Sequence, residues 1–347
     1  MERELLGVEH SATFIEPKQR PVTRLRAFLA WAPREIAGFL GALLLISFVT
    51  FIAVRVVSGD IALKALGREA TPGQLSAFRE THGLDDPMLV QYWDWLRGFV
   101  SGNWGQDLIS GRGVFASIVS PFAYTVVLAV AALAASIPLS MILGVASALR
   151  MGDARDRTLM TMSIVTVATP EFVIAVGGIL VFGVWLKLLP VDSTALTYEA
   201  PFLDKFWAFL LPWATLVIAL TAYFYRVARA SCYDVLKSKY VEAARLRGFG
   251  QSFLIRRYVI RNSAGPLINA VAIGAVHLIG GVVLVEQVFG YPGLGQALIQ
   301  TVTGGSLKIV QAIVVVLAAV FLLIGAVADL AVKYVVGPTG RQSMDAR

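Results

Sequence analysis

The chain has 347 residues, of which 57% are hydrophobic and only 15% charged, with a mean hydropathy of +0.71. A soluble domain carries about 25% charged residues, so too few polar side chains remain to coat a water-exposed surface, and the expected solvent is lipid. The lone cysteine, Cys232, excludes an internal disulfide framework and a cysteine-only metal site, and His10, His82 and His277 show no ligand spacing.

A bilayer core about 30 Å thick requires roughly 20 apolar residues in helical form. After a mostly polar amino-terminal extension, 1–35, the first such stretch is Ile36–Val54, free of charge and longer than a signal-peptide core, so it reads as a retained anchor. The second, Ile118–Leu149, is uncharged over 32 residues, longer than one span needs, with Pro121 near its start. The third, Thr158–Leu186, is interrupted by one acid, Glu171. Phe206–Tyr225, Asn262–Val285 and Ile309–Ala328 complete six uncharged or nearly uncharged stretches. Main-chain polar groups in hydrocarbon must be paired within their own element, so these stretches are predicted to be helices and the fold class all-α, polytopic.

The net charge of +7 is distributed by side. With the amino terminus inside, the internal segments 1–35, 150–157, 226–261 and 329–347 hold 21 of the 30 Lys and Arg residues. This bias predicts both termini in the cytoplasm of a multi-pass cell-membrane protein, and explains the basic charge without nucleic acid. Lipid is the expected surrounding partner.

Two segments outside the spans are too long for simple connectors. In the external loop 58–117, Thr71-Pro72 predicts a short helix ending near Gly83. Asp86-Pro87 predicts another ending near Gly102, whose Tyr92, Trp93 and Trp95 suit a membrane interface. This loop is either a docking platform for an outside partner or a cap on the helices. In the internal loop 226–261, Ser238 is a candidate cap for a short helix through Tyr240, Glu242, Ala243, Ala244, Arg245 and Leu246, with Gly248 as its left-handed stop. The small alanines let another surface approach, and Glu242 near the helix start is favoured by the dipole and can accept from a partner. Arg247, Arg256, Arg257 and Arg261 surround it, and Asn262 and Pro266 mark the return to the membrane.

The segment Tyr240-Val241-Glu242-Ala243-Ala244, followed by Gly248, Arg261-Asn262 and Pro266, resembles the EAA loop of binding-protein-dependent ABC permeases. More narrowly, the chain resembles the first (B-type) permease of the oligopeptide/dipeptide/nickel importer family over residues 36–337. Gly83-Leu84-Asp85-Asp86-Pro87 with Gln91-Tyr92, Thr169-Pro170-Glu171-Phe172 with Leu189-Pro190-Val191, Arg226 and Arg229 before Val235-Leu236, and Glu286-Gln287-Val288-Phe289 with Pro292-Gly293-Leu294-Gly295 agree with it in order. It departs at Tyr258, where the family often has His, at Gly59-Asp60-Ile61, at Gly102-Asn103-Trp104-Gly105, and at Gly337-Pro338-Thr339-Gly340-Arg341.

The resemblance implies the type I ABC importer permease fold, with 36–337 as the permease domain, 226–261 as the coupling loop and 338–347 as a cytoplasmic tail. It implies three kinds of partner: a homologous second permease, cytoplasmic ABC ATPase subunits and an extracytoplasmic solute-binding protein. Tyr240, Glu242, Ala243, Ala244, Arg245 and Gly248 would sit against the ATPase, and short peptides are the expected cargo, with nickel complexes, glutathione, sugars or opines as other cargoes of the class. The sequence holds no Gly-x-x-x-x-Gly-Lys-Ser/Thr phosphate loop, so ATP and magnesium are expected on the partner subunits and no cofactor or metal on this one.

Intramembrane acids usually face a cavity or a partner, which makes Glu171 a candidate pathway residue, although beside Pro170 it can also bond to local main chain. His277 either faces the pathway or bonds to a neighbouring helix, and Glu286 is the third pathway candidate. Gly177-Gly178 and Gly280-Gly281 are expected to permit close helix packing, and Pro292-Gly293 to shape an external turn. A gradient-driven transporter would show coupling acids repeated between two halves, an intramembrane enzyme clustered polar groups at helix ends, and a channel a ring of charges or a filter. The spans show none of these patterns.

Overall fold

The computed structural model describes residues 21–197 and 199–336; residues 1–20 of the expected extension, and the expected tail 338–347, lie outside them. Helix α1 covers Pro21–Ser58, and its residues through 42 form a unit of their own. Everything below concerns the second unit, residues 43–336. Among the described residues there is no strand, only an isolated bridge between Gln106 and Gly113.

The external segment folds into three short helices. α2 (Ile61–Leu66), which the sequence reading missed, is started by Asp60, whose carboxylate accepts from the Ala62 and Leu63 N–H groups. α3 (Pro72–Thr81) begins at the expected Thr71-Pro72 with a capping box between Thr71 and Gln74. Thr71→Ala is expected to weaken α3 by about 1 kcal/mol, read as faster amide exchange over 73–81. Arg79 of α3 pairs with Asp60 at 2.5 Å. Its guanidinium holds the Asp60 carboxyl below the usual range, so this tie is complete above the ordinary carboxylate pKa and is lost as pH falls through the lowered value. α4 (Met88–Val100) follows Pro87 as expected. Its Tyr92 ring packs edge-on against Phe48 and Phe51, and its hydroxyl lies 2.8 Å from Ser47 Oγ, so this face of α4 caps α1.

The membrane helices are α5 (Val114–Ala148), α6 (Ala154–Ala168), α7 (Glu171–Gly178, continued by a π-helix over Ile179–Trp185), α8 (Phe202–Leu236), α11 (Ile260–Phe289) and α13 (Leu307–Val336). Between α8 and α11 lie α9 (Lys239–Leu246) and α10 (Gln251–Leu254), the latter joined to α11 by a π-turn over Ile255–Val259. α12 (Leu294–Gly304) stands before α13. Among the described residues, five helices are apolar and long enough to cross a membrane: α1, α5, α8, α11 with the turns leading into it, and α13. The expected third span, Thr158–Leu186, is not one straight helix: α6 and α7 are bent by 106° at Thr169-Pro170. Pro170 lacks an amide hydrogen and drives the preceding residue out of helical geometry, and Thr169 is extended at φ −96°, ψ 124°.

The internal loop is also shorter than the sequence suggested. α8 runs on to Leu236 and α10 begins at Gln251, so much of 226–261 is helix continuous with the spans. No glycine or proline interrupts Arg226–Leu236, and polarity alone does not stop a helix at a bilayer surface.

The main core lies between α5, α7, α8 and α11, around Leu128, Leu216, Phe224, Val282 and Phe289. α5 and α8 approach so closely that a Cβ at Gly144 would lie 2.7 Å from that of Ala228. A second cluster, including Val114, Ile118, Leu294 and Ile313, joins α5, α12 and α13.

Candidate functional site: an internal helix and a cavity at a broken span

α9 is started and stopped as its sequence dictates, with one difference. Ser238 is extended at the cap position, but its Oγ donates to the Val235 carbonyl at 2.6 Å rather than accepting from α9. The single main-chain carbonyl of Ser238 accepts from both the Val241 and the Glu242 N–H instead. At the other end Gly248 takes φ +83°, a conformation costly for a side chain with a Cβ. Val241 and Ala244 are buried, while Tyr240, Glu242, Ala243 and Arg245 are exposed, so the helix is anchored by one face and presents the other.

Sequence reasoning missed what supports this segment. Tyr258 packs against Tyr240 with ring centroids 6.0 Å apart and against Phe253 at 6.2 Å, and Phe253 stacks on Phe249 at 4.8 Å. The aromatic spacing around Gly250 was its available signal. Leu246, Phe249 and Phe253 remain exposed on the same segment as Glu242, Arg245 and Arg247, which makes its free surface part apolar and part charged.

A second device sits close to this segment in sequence. Asp156 at the start of α6 accepts from Arg229 of α8 through Nε at 2.6 Å and Nη2 at 2.7 Å. It also accepts from the Gly152 N–H at 2.9 Å and from Ser147 Oγ, which in turn contacts the Tyr225 hydroxyl at 2.7 Å. Both partners are largely shielded, with side-chain exposures of 3% and 15%. This ties α5, α6 and α8 together just before α9. Arg229 had been singled out in sequence, but its acidic partner 73 residues away had not.

The break between α6 and α7 opens a cavity of about 290 Å³. Glu171, the first residue of α7, and His277 of α11 both line it, with Tyr223, Leu216, Leu220 and Thr169. Two of the three pathway candidates are thus brought together. The carboxylate lies over Gly281, where a Cβ would come 3.5 Å from Oε1, and no donor among the described residues bonds it. His277 Nδ1 lies 3.1 Å from the Ile273 carbonyl, so the expected bond to a neighbouring helix is made within α11 instead. Gly177 and Gly280 face open space rather than a packed helix, while Gly178 meets Leu211.

Glu286 does not join this cavity. Its carboxylate is fully buried, accepts from Thr125 Oγ1 at 2.6 Å and from the Gly295 N–H at 2.7 Å, and thereby caps α12, a helix that the sequence alone does not announce. Thr125 Oγ1 accepts in turn from the Leu294 N–H at 2.8 Å. Pro292-Gly293 does form the turn, and Gly293 is there because a side chain would enter the Glu286 carboxylate. Burial beside Glu286 also pushes the Tyr291 phenol up from its ordinary value. A larger cavity of about 400 Å³ lies elsewhere, between the external helices and the start of α13, lined by Arg55, Trp95, Trp104 and Gln311 among others.

Comparison with known proteins agrees along nearly the whole chain. The family described as "Binding-protein-dependent transport system inner membrane component" matches residues 136–337, and its amino-terminal companion matches residues 28–129. The glutathione transport system permease protein GsiC of Pectobacterium atrosepticum is 30% identical over 297 residues, 86% of this chain and 94% of its own length. GsiC of Salmonella typhi is 28% identical over 302 residues, 87% of this chain and 96% of its own. A crystal structure of an amino acid ABC transporter with histidines overlays at a TM-score of 0.47, with 16% identity, over 63% of this chain and 94% of that one. The chain belongs to the binding-protein-dependent transport system inner membrane components, as a multi-pass permease subunit of an ABC importer.

Proposed function

We propose that this permease, with 36–337 as its transmembrane domain and both termini in the cytoplasm, is driven through α9 by a cytoplasmic ATPase pair. The observation that carries the reading is the exposure of Tyr240, Glu242, Ala243 and Arg245 on a helix anchored by Val241 and Ala244 and ended by Gly248. Such an element can lie in a groove of a partner and pass on a displacement without unfolding, because its other face is held by the protein. ATP and magnesium belong to the partner, since this chain lacks a phosphate loop.

In this reading a second, homologous permease completes the pathway, and the cavity containing Glu171 and His277 is this subunit's contribution to it. A solute-binding protein delivers the cargo from outside, and the cargo is a short peptide. The similar permeases bear glutathione in their names, and glutathione is itself a tripeptide, so it is the second cargo to try.

Glu242→Lys reverses the charge on the presented face without touching the core. In vesicles containing the complete transporter, it is expected to lower ATP-driven uptake at least about tenfold, as loss of a charge-assisted contact of roughly 1.5–3 kcal/mol would, while insertion and folding are unchanged. Uptake equal to wild type would remove α9 from the coupling path. The purified permease alone is expected to hydrolyse no ATP.

A further inference from the structure

We infer that the cavity at the break between α6 and α7 is a subsite for a primary ammonium group, with Glu171 as its anionic partner. This rests on the proposal that the cavity belongs to the pathway, and it names what that part of the pathway recognises.

Two other acids of the membrane helices already have their partners. Asp156 is paired with Arg229, and Glu286 is sealed against Thr125 and the start of α12. Glu171 has neither arrangement: it is half-buried, lines a cavity, and receives no hydrogen bond from the described residues. A carboxylate in apolar surroundings is unfavourable unless water or a cation satisfies it. No Lys or Arg is among the lining residues, so no fixed positive charge of this chain faces Glu171 in the cavity.

Among the neutral polar groups, His277 and Thr169 have the same bias, while the hydroxyls of Thr166 and Tyr223 can donate or accept. His277 Nδ1 donates to the Ile273 carbonyl, which can only accept, so in the neutral ring Nε2 is left as an acceptor. Thr169 Oγ1 gives its hydrogen to the Val165 carbonyl at 2.8 Å and retains only lone pairs. A carboxylate, an imidazole lone pair and a threonine oxygen form a set of acceptors. The complementary ligand brings donors and positive charge, as an ammonium with three N–H groups does. Leu216, Leu220 and Leu278 supply apolar walls, and Tyr223 an aromatic one. A volume near 290 Å³ takes the amino end of a peptide, or a basic side chain, rather than a whole peptide.

The test has two arms, both in vesicles with the complete transporter. In the first, Thr166, which lines the cavity, is replaced by Cys in a Cys232→Ser background. The thiol is then modified by a cationic and an anionic methanethiosulfonate, with and without ATP. Relative to the same pair of rates for a free thiol in water, the cationic reagent should be favoured about tenfold by a nearby carboxylate. Glu171→Gln should bring the ratio to about one, and Glu171→Asp, which keeps the charge, should preserve most of it. A ratio indifferent to Glu171→Gln overturns the ammonium subsite and leaves the pathway reading standing. Failure of both reagents to react in every nucleotide state overturns the pathway reading and this inference with it. In the second arm, Glu171→Gln should lower uptake of a free-amine dipeptide about tenfold and leave that of its N-acetylated form unchanged. Equal loss of both peptides would mean that Glu171 only shapes the helix break, and would overturn the subsite.

Discussion

Gly293→Ala is expected to destabilise the permease by about 3 kcal/mol or more, beyond the usual range for one added methyl group. The main chain itself tolerates the change, since Gly293 is extended at φ −95°, ψ −177°. The obstacle is the Glu286 carboxylate, which already occupies the space a Cβ would need. Glu286 has no room to withdraw: it is completely buried, and its oxygens are held by Thr125 and the Gly295 N–H. Moving it would strip α12 of its cap and leave buried donors unsatisfied, which adds about 1–3 kcal/mol to the steric term. Thermal unfolding in detergent, followed by tryptophan fluorescence, gives the measurement. The double variant Gly293→Ala with Glu286→Ala should be damaged less than the sum of the single changes, because the clash disappears with the carboxylate. Gly280→Ala, which meets nothing within 4 Å, is the matched control and should be nearly neutral. Melting of Gly293→Ala at the wild-type temperature would show that the close approach is not present.

The second large effect is expected at Arg229. Arg229→Ala leaves the Asp156 carboxylate in a nearly closed site without its two guanidinium bonds. Breaking a buried pair from one side costs about 3–5 kcal/mol, because the remaining charge has lost its compensation. Replacing both partners together, Asp156→Leu with Arg229→Met, removes the charge as well as the bond and should recover much of the loss. The measurement is a double-mutant cycle by thermal unfolding, with uptake measured in parallel, since the pair joins α6 to α8 shortly before α9. Simple additivity of the two single changes would show that the guanidinium and carboxylate act independently.

The legible and illegible parts of this protein divide according to how far apart in sequence the interacting groups lie. The apolar helices, the Thr71-Pro72 and Pro87 helix starts and the glycine stop at Gly248 are local chemistry, and the corresponding helices are present. The angle at Pro170 was not legible, because a proline announces a break without stating its direction. α12 was missed because its cap is a carboxylate from the preceding helix rather than a residue at its own start, and Thr125 is 161 residues from the Glu286 it bonds. Asp156 was passed over for the same reason. Of the three acids that matter here, sequence context drew attention to Glu171 and Glu286 but could not distinguish an acid facing a cavity from one sealed inside. The distinguishing signal was present beside Glu286, in the glycines at 293 and 295 that leave room for its head group.

The close crossing of α5 and α8 at Gly144 and Ala228 has a mechanical consequence. Two helices in such contact have little freedom to slide there. Trp213 Nε1 donates to the Ala131 carbonyl at 3.1 Å and ties the same two helices again, about 22 Å further along α8. Held at two separated points, α5 and α8 are expected to move as one body when α9 is displaced.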